Sequence, residues 1–383
     1  MTTRAATLPA VDLPKQALHA PGRSARRLPR VAAKAMPSEF DLEVIDLAAG
    51  SEWDGLLSSH PQGTAFHSSA WARVLINSYG HRPFYLHFSR RGESCALVPL
   101  MEIASPLTGR RGVCLPFSDF CPPLLFASAE AEPVLRAIHD LASERRWRYT
   151  EFRGASPLTT TNESEPTFYG HTLDLGAGME ALFSRLDSSV RRAIRKSEKS
   201  GLTTGVERSA GAVVEFLALH ARTRKRHGVP PQPGVFFRQI HEQIIQPGHG
   251  FVVLARDGKT AVAAAIFFVW REKAIYKFGA SDETKQSLRG NNLVMWEAIR
   301  FLAERGVKQL DFGRTDLEHE GLRRFKLGWG TTETPISYDR FETKSQAWAS
   351  VIPRQTGVSA HLFSRLPAIA NRVAGRVLYP HLD

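Results

Sequence analysis

Apolar and polar positions in the first half of the chain follow patterns typical of short strands and one amphipathic helix. Residues 40–45 form a candidate first strand, and residues 83–89 and 95–103 form a hairpin around a polar turn. Residues 134–147 carry apolar positions at helical spacing, and residues 149–152 form the next strand. This order predicts one mixed sheet with a helix packed against it.

A second series of elements of similar length follows from residue 171. Helical patterns alternate with apolar runs that predict consecutive strands at 251–255, 261–270 and 274–279. We therefore predict an α/β (α+β) fold of two tandem domains, each with a mixed central sheet flanked by helices, and an amphipathic helix at the C-terminus. The predicted divisions are a disordered basic leader over 1–37, domains over 38–170 and 171–345, and a basic tail over 346–383.

The stretch from 290 to 330 combines a helix, a buried strand and a short basic helix. Asn291 or Asn292 is expected to cap the first helix, and Gly306 is expected to end it in a left-handed conformation. Residues 307–312 form the predicted strand, and Gly313 forms its exit. Ligands bind at the carboxyl ends of strands in open α/β sheets. This strand end is therefore a candidate site.

Three charged residues carry the candidate chemistry of this stretch. Asp311 and Arg314 flank the glycine at the strand end, and Lys326 follows between aromatic residues and glycines, next to Phe325 and close to Trp329. A lysine or arginine can stabilise negative charge that develops during a reaction. Asp311 has two open interpretations: it orients an amine or Arg314, or it only accepts hydrogen bonds from the backbone at the strand end.

In order and spacing, this stretch resembles the FemAB-like branch of the GNAT-fold acyltransferases. The residues that carry the resemblance are Asn292, Leu293 and Trp296 on the helix, Asp311–Arg314 on the strand, and Phe325, Lys326, Trp329 and Gly330. The resemblance implies two GNAT-like domains and transfer of an acyl or aminoacyl group to an amine. It also implies that Lys326 assists at the ester or phosphate of the donor.

The donor stays open between acyl-CoA and aminoacyl-tRNA, and no tightly bound cofactor is expected. GNAT enzymes that use acyl-CoA carry a glycine-rich loop for the pyrophosphate, whereas this chain has only Gly290, followed by Asn291 and Asn292, at the corresponding helix start. A helix N-terminus still binds phosphate through its free amides. These three residues are therefore candidate phosphate ligands.

A basic helix near residue 190 is a second candidate phosphate site. Residues 183–201 contain six basic residues against two acids, and four of the basic residues are candidate ligands: Arg191, Arg192, Arg195 and Lys196. Arginine binds phosphate through paired hydrogen bonds. A solvated basic surface without a ligand is the alternative. Phe325 and Trp329 complete the candidate substrate contacts.

Charge and cysteine content exclude several other classes. The net charge is +12, of which the leader contributes +6 and the tail +3, so the body between them carries only +3. A strongly basic body would indicate a nucleic-acid-binding protein. Three cysteines, Cys95, Cys114 and Cys121, form neither a disulfide framework nor a metal motif, and no metal site is predicted. The longest apolar run, 261–270, is too short to span a bilayer.

The resemblance, together with these observations, implies an acyltransferase that acts on an amino group of a cell-envelope precursor or polysaccharide unit, with a phosphorylated or lipid-linked amino-sugar as acceptor. The alternatives are an acyl-CoA-dependent N-acetyltransferase acting on a small amine, a non-catalytic basic nucleic-acid-binding protein, and a scaffold with a decayed site. We expect a cytoplasmic location, with peripheral contact at the inner membrane face as one hypothesis.

An apolar stripe flanked by arginines over 361–379 either lies in the membrane interface or covers the protein's own core. Asp119, in a Pro- and aromatic-rich loop, is either a binding residue or a turn cap.

Overall fold

The computed structural model describes residues 40–47, 52–127, 129–154, 157–158, 166–351 and 363–383. The predicted leader over 1–37 lies outside these residues. Strands and helices are numbered in chain order. Among the described helices, none is both long enough and apolar enough to cross a bilayer.

Within the described part of the chain, sixteen strands form two sheets. The first six are β1 (Asp41–Ile45), β2 (Arg82–Arg90), β3 (Glu93–Ser105), β4 (Gly109–Val113), β5 (Leu124–Leu125) and β6 (Tyr149–Arg153). The next five are β7 (Phe168–Asp174), β8 (Thr203–Glu207), β9 (Gly250–Asp257), β10 (Thr260–Trp270) and β11 (Lys273–Ser281). The last five are β12 (Gln309–Asp311), β13 (Thr315–Asp316), β14 (Thr332–Ile336), β15 (Tyr338–Glu342) and β16 (Ala347–Ser350).

The α-helices lie between these strands and after them. Those in the first half are α1 (Glu52–Ser59), α2 (Ser69–Tyr79) and α3 (Ala131–Glu144). Those in the second half are α4 (Met179–Arg185), α5 (Ser188–Lys199), α6 (Ala210–Arg226), α7 (Gly234–Ile240), α8 (Gly290–Ala303), α9 (Glu320–Leu327) and α10 (Ala368–Leu378). The predicted order of strands and helices is therefore present, with α4, β8, β13 and β16 as elements that the sequence patterns did not indicate.

Both sheets are mixed, as predicted. The first has the order β1-β2-β3-β4-β6-β15-β16, with β5 beside β3, and the second has the order β13-β7-β12-β11-β10-β9-β8, with β14 beside β7. Only the β4–β6 and β11–β12 neighbours are parallel among the described strand pairs. In the second sheet, β12 lies between β11 and β7, so its carboxyl end at Asp311 is enclosed by strands on both sides.

The chain crosses between the sheets near its C-terminal end. The chain passes from the second sheet to the first at residue 337: β14 pairs with β7 and β15 pairs with β6. The first sheet therefore also includes β15 and β16, which follow all the strands of the second sheet along the chain. β4 ends at residue 113, and Leu115 and Phe117 after it adopt left-handed conformations (φ 46° and 59°) that a strand cannot contain.

An aromatic core joins elements of the two halves. Trp71 of α2 packs against Phe236 of α7 and Phe268 of β10, with ring centroids 5.9 and 5.7 Å apart. Ser68 caps α2 by accepting a hydrogen bond from the amide of Trp71. A shared core of this kind holds the two sheets as one packing unit.

The start of α8 differs from the prediction. The helix begins at Gly290, and its N-cap position is Arg289, which has a left-handed conformation (φ 59°) and no side-chain cap. The expected asparagine caps at 291 and 292 are therefore wrong, since both residues lie inside the first turn. Gly306 is left-handed (φ 74°) after the end of the helix, as predicted.

Candidate active site where the two sheets meet

Five charged side chains gather where the first sheet meets the second. We call them the seam cluster: Asp119, Lys277, Asp311, Arg314 and Lys326. Asp119 comes from the loop after β4, whereas the other four come from the second sheet and α9. Burial of several charges near one another is costly unless they are paired. Each charge of the cluster is therefore expected to have a partner.

Asp119 and Lys277 form an ion pair between the two sheets. The Lys277 ammonium lies 3.0 Å from the Asp119 carboxylate and also donates to the carbonyl oxygen of Phe117 at 2.7 Å. Tyr338 of β15 donates to the carbonyl oxygen of Asp119 at 2.8 Å. Burial opposes ionisation of Asp119, but the charges of Lys277 and Arg314 outweigh burial and hold its pKa below the usual value. Asp119 is therefore a paired anion and not an isolated turn cap.

Asp311 ends β12 inside the cluster. Its Oδ1 atom accepts a hydrogen bond from the amide of Gly313 at 2.6 Å, and Gly313 is left-handed (φ 72°), which folds the chain back over the carboxylate. Burial raises the pKa of Asp311 to about 6, although the Gly313 amide partly offsets that effect. A carboxylate with such a pKa is a suitable proton acceptor near neutral pH.

Lys326 points from α9 into the cluster and is buried. Its ammonium donates to the carbonyl oxygens of Gly313 and Arg314, each at 2.8 Å. Burial lowers the pKa of Lys326 to about 8, with Asp119 and Asp311 opposing the shift. Only 3% of Lys326 is exposed, because α9 packs over β7 and turns this side chain inward. Lys326 therefore fixes the turn at 313–314 and retains one N–H without a partner among the described residues.

Arg314 is the half-buried cation of the cluster. Its guanidinium lies over the rings of Phe168 and Tyr338, 4.2 and 5.2 Å from their centroids. Stacking of this kind holds the planar group in place while leaving its edge N–H groups for hydrogen bonding. Because Arg314 also lowers the pKa of Asp119, it contributes to the charge balance of the cluster.

A second feature, which we call the basic groove, lies on the other side of α9. The groove has a volume of about 890 Å³ between α5, the start of α8 and α9. Five cations line it: Arg185, Arg192, Lys196, Arg289 and Arg324. The one lining acid, Asp187, accepts a hydrogen bond from the Ser189 amide and caps α5.

The cations of the basic groove lack anionic partners. Among the described residues, none of the five forms a salt bridge within the chain. Asn292 also lines the groove, in the first turn of α8, whose N-terminus has no side-chain cap. The positive end of the α8 dipole and the unpaired cations both favour an anion. The groove is therefore suited to a phosphate or diphosphate group.

The structure separates the four predicted cations of α5. Arg192 and Lys196 line the groove, whereas Arg191 donates to the carbonyl oxygen of Ser184 at 2.9 Å and Arg195 lies over the ring of Phe183. The latter two residues therefore face α4. Helical spacing alone did not distinguish these two sides, because the contact with α4 is tertiary.

Of the remaining predicted ligands, some line the groove and others do not. Phe325 lines the groove, but Trp329 is fully buried against Phe312 and Phe325 and belongs to the core. Gly290 is buried beside Ala263, where an added Cβ would lie 3.0 Å from that of Ala263, so Gly290 offers only its backbone. Asn291 donates to the Ser281 hydroxyl at 3.2 Å and does not line the groove.

Two residues near the site had no role in the sequence prediction. Lys277 lies in β11 between Tyr276 and Phe278, and a charged residue within an apolar strand is the signal that could have indicated it. His171 of β7 is fully buried, and neither ring nitrogen has a hydrogen-bond partner among the described residues. Burial, reinforced by the charge of Lys326, lowers the pKa of His171 to about 4, so it is neutral.

Comparison with known proteins gives a domain family. Residues 184–327 match the family described as acetyltransferase (GNAT) domain, and this range includes both the groove and most of the seam cluster. A 76-residue segment is 34% identical to a lipid II:glycine glycyltransferase of Staphylococcus haemolyticus. That segment covers 18% of this chain and 18% of the relative.

Solved structures share the architecture. The chain resembles the crystal structure of FemX with a TM-score of 0.64 and 15% identity, over 77% of this chain and 95% of that one. It also resembles a tandem GNAT protein from the clavulanic acid biosynthesis pathway, with a TM-score of 0.52 and 9% identity, over 83% of this chain and all of that one. At these identities the likeness concerns the fold.

These comparisons confirm the FemAB-like resemblance, the two GNAT-like sheets and the transferase type of the C-terminal domain. The alternative of a non-catalytic nucleic-acid-binding protein loses its support, because the matched domain belongs to a transferase family. Among the described residues, no group of three or more His, Cys, Asp or Glu side chains is arranged to hold a metal ion.

Proposed function

From its place among the FemAB-like GNAT-fold acyltransferases, we propose that this chain transfers an acyl or aminoacyl group to an amino group on a phosphorylated precursor of the cell envelope. The basic groove holds the phosphate or diphosphate of one substrate. The seam cluster serves the reacting amine and carbonyl group. We propose the same division between an N-terminal and a C-terminal GNAT-like domain that the sequence predicted, at residues 38–170 and 171–345.

One observation carries this proposal: α9 contributes to both regions from adjacent positions. Arg324 and Phe325 line the groove, whereas Lys326 enters the cluster and bonds the turn after Asp311. Consecutive Cα atoms lie about 3.8 Å apart. A phosphate held in the groove therefore sits within the length of a small substrate from the cluster.

The proposed reaction assigns a role to each cluster residue. The amine nitrogen bonds to the carbonyl carbon of the donor, the bond to the leaving oxygen or sulfur breaks, and the nitrogen loses a proton. Asp311 accepts that proton, since its pKa of about 6 leaves it ionised at neutral pH. Lys326 and Arg314 supply positive charge where the oxyanion develops.

The donor and acceptor classes follow from the groove and from the relatives. The glycyltransferase of Staphylococcus haemolyticus is named for lipid II and glycine, and we extend a lipid-linked acceptor of that general kind to this chain. A lipid-linked acceptor would require work at the inner membrane face. The donor is aminoacyl-tRNA or acyl-CoA, both of which carry phosphates that suit the groove.

An acyl-CoA-dependent transfer to a small amine is the second candidate function. The observation that favours it is the uncapped N-terminus of α8 at the groove, with Arg289 beside it. Free amides at a helix start suit the diphosphate of CoA. In this case the groove holds the donor, and the acceptor needs no phosphate.

A label-transfer assay tests the proposal and separates the two candidates. Purified full-length protein is incubated with radiolabelled acetyl-CoA or aminoacyl-tRNA, together with a lipid-linked amino-sugar precursor or a small amine. We expect label on the envelope precursor. Transfer only to the small amine would favour the second candidate, and no transfer from either donor would contradict both.

A matched pair of variants tests the role of Asp311 in the same assay. Asp174 also ends a strand and accepts a hydrogen bond from the amide two residues later, but it is exposed. Asp311→Asn is expected to lower kcat by about a hundredfold or more, whereas Asp174→Asn keeps the rate of the unmodified protein. Equal rates in the two variants would remove Asp311 from the reaction.

A further inference from the structure

The last helix presents an apolar stripe to solvent. Ile369, Val373 and Val377 follow one another at four-residue spacing on α10, and their exposed fractions are 72%, 57% and 56%. Residues four apart lie on one face of a helix. A helix that packs on its own protein normally turns such a face inward. On α10, the apolar face turns outward.

The inward face of α10 is formed by small and polar residues. Gly375 lies so close to Pro231 that any side chain there would collide with its carbonyl oxygen. Asn371 is buried and donates to the carbonyl oxygen of Phe363 at 2.7 Å. These contacts fix the orientation of α10 on the protein. The hypothesis that the stripe covers the protein's own core is wrong for these three residues.

Contacts after α10 hold the end of the chain in place. Tyr379 is buried, and its hydroxyl donates to the carbonyl oxygen of Pro230 at 3.0 Å. Asp383 forms an ion pair of 2.9 Å with the buried side chain of Arg111. The helix is therefore docked at its last turn, and the stripe is displayed on a rigid element.

Two further leucines are exposed close to the end of the chain. Leu382 is 41% exposed and Leu107, in the turn between β3 and β4, is 70% exposed. The Thr108 hydroxyl donates to the carbonyl oxygen of His381 at 3.4 Å, so the segments that carry these two leucines are adjacent.

The charge around the stripe is positive. Arg372 and Arg376 are exposed on α10, and residues 363–382 contain no acid. The only acid of the tail, Asp383, is neutralised by Arg111. A second copy docked on the same stripe would bring these arginines against their equivalents, which is unfavourable. An anionic partner fits the surface better.

We propose that α10 docks this protein on an anionic lipid bilayer. The aliphatic stripe enters the boundary between headgroups and acyl chains, and Arg376 contacts the headgroups. Bilayer binding is independent of the proposed reaction, because it is measured without turnover.

Vesicle sedimentation with the full-length protein tests this inference. One set of vesicles contains phosphatidylcholine alone, and the other contains phosphatidylcholine with an equal share of phosphatidylglycerol. We expect sedimentation with the second set only, weakening as salt is raised. The combined substitutions Ile369→Ser, Val373→Ser and Val377→Ser are expected to weaken binding at least about tenfold, because the inserted apolar area is lost.

Val214→Ser is the matched control, since Val214 is 65% exposed near the start of α6, whereas α6 meets the C-terminal segment near its other end, where Arg224 donates to the Tyr379 hydroxyl. It should bind vesicles like the unmodified protein, and all variants should keep the same melting temperature. Three results would overturn the proposal: no binding of the unmodified protein to anionic vesicles, unchanged binding of the triple variant, or a dimer in analytical ultracentrifugation that the triple variant dissociates. Deletion of the tail over 346–383 is a poorer test, because it would also remove β16, Tyr379 and the contact between Asp383 and Arg111.

Discussion

The seam cluster and the basic groove use charged residues in opposite ways on the two sides of one helix. In the cluster, Lys326 is buried and bonded to two backbone carbonyls; in the groove, Arg324 is exposed and has no salt bridge among the described residues. Paired buried charges hold an arrangement and shift pKa values, whereas unpaired exposed charges remain free to bind. Location therefore indicates function here better than residue type does.

The largest expected effect concerns the ion pair between the sheets. Lys277→Ala would leave the mostly buried Asp119 without its direct ion-pair partner, so we expect the free energy of unfolding to fall by about 3 kcal/mol, the remainder being offset by Arg314. The exposed pair of Lys308 and Glu272 is the matched control, and Lys308→Ala should cost less than about 1 kcal/mol. Urea unfolding measures both. Similar losses in the two variants would show that burial of the Asp119–Lys277 pair has no special consequence.

Lys326→Ala should have the next largest effect on stability. It removes the donor to the carbonyl oxygens of Gly313 and Arg314, so we expect a loss of about 2–3 kcal/mol in unfolding free energy. Arg324→Ala, two residues earlier on α9, should stay within about 0.5 kcal/mol of the unmodified protein. A stable Lys326→Ala protein would show that the lysine does not hold the turn.

The sequence predicted α9, β12 and the candidate residues Asp311 and Lys326, because spacing within a short stretch reflects local structure. It could not predict which way Lys326 points, since burial of that side chain depends on β7. The pairing of Asp119 with Lys277 joins residues 158 positions apart, and no local pattern encodes it. The separation of Arg192 and Lys196 from Arg195 depends likewise on packing against α4.

The dependence of stability on pH sharpens the distinction between the two regions. The pKa of Asp311 is raised to about 6 in the folded protein, so the folded state binds more protons than the unfolded state between about pH 4 and 6. Its contribution to stability is therefore lost as pH rises through that window. Asp311→Asn should remove this loss, which appears as the difference between two urea-unfolding series. An identical pH dependence in the variant would mean that Asp311 titrates normally.

The contribution of Asp119 to the dependence of stability on pH has the opposite sign, so Asp119 serves as an internal comparison. Its pKa is held below the usual value by Lys277 and Arg314, against the effect of burial. Its stabilising contribution is present above the unfolded pKa and is lost as pH falls. Asp119→Asn should therefore flatten the acid side of the stability curve. Unchanged acid denaturation would contradict the assigned ion pair.

The smallest effect on stability is expected in the basic groove. The combined Arg192→Ala and Lys196→Ala protein should unfold within about 0.5 kcal/mol of the unmodified protein, because both side chains are exposed and lack salt bridges. Thermal and urea unfolding measure this. A large loss would mean that the groove cations support the fold and are not held free for a ligand.

Steady-state kinetics with the phosphorylated substrate test the central claim most directly. Arg192→Ala with Lys196→Ala should raise KM about tenfold or more with little change in kcat, whereas Asp311→Asn should lower kcat with little change in KM. Arg195→Ala with Lys199→Ala removes the same charge from α5 outside the groove and should resemble the unmodified protein. If the two α5 double variants raised KM equally, or if Asp311→Asn kept its kcat, the division between a binding groove and a reacting cluster would be contradicted.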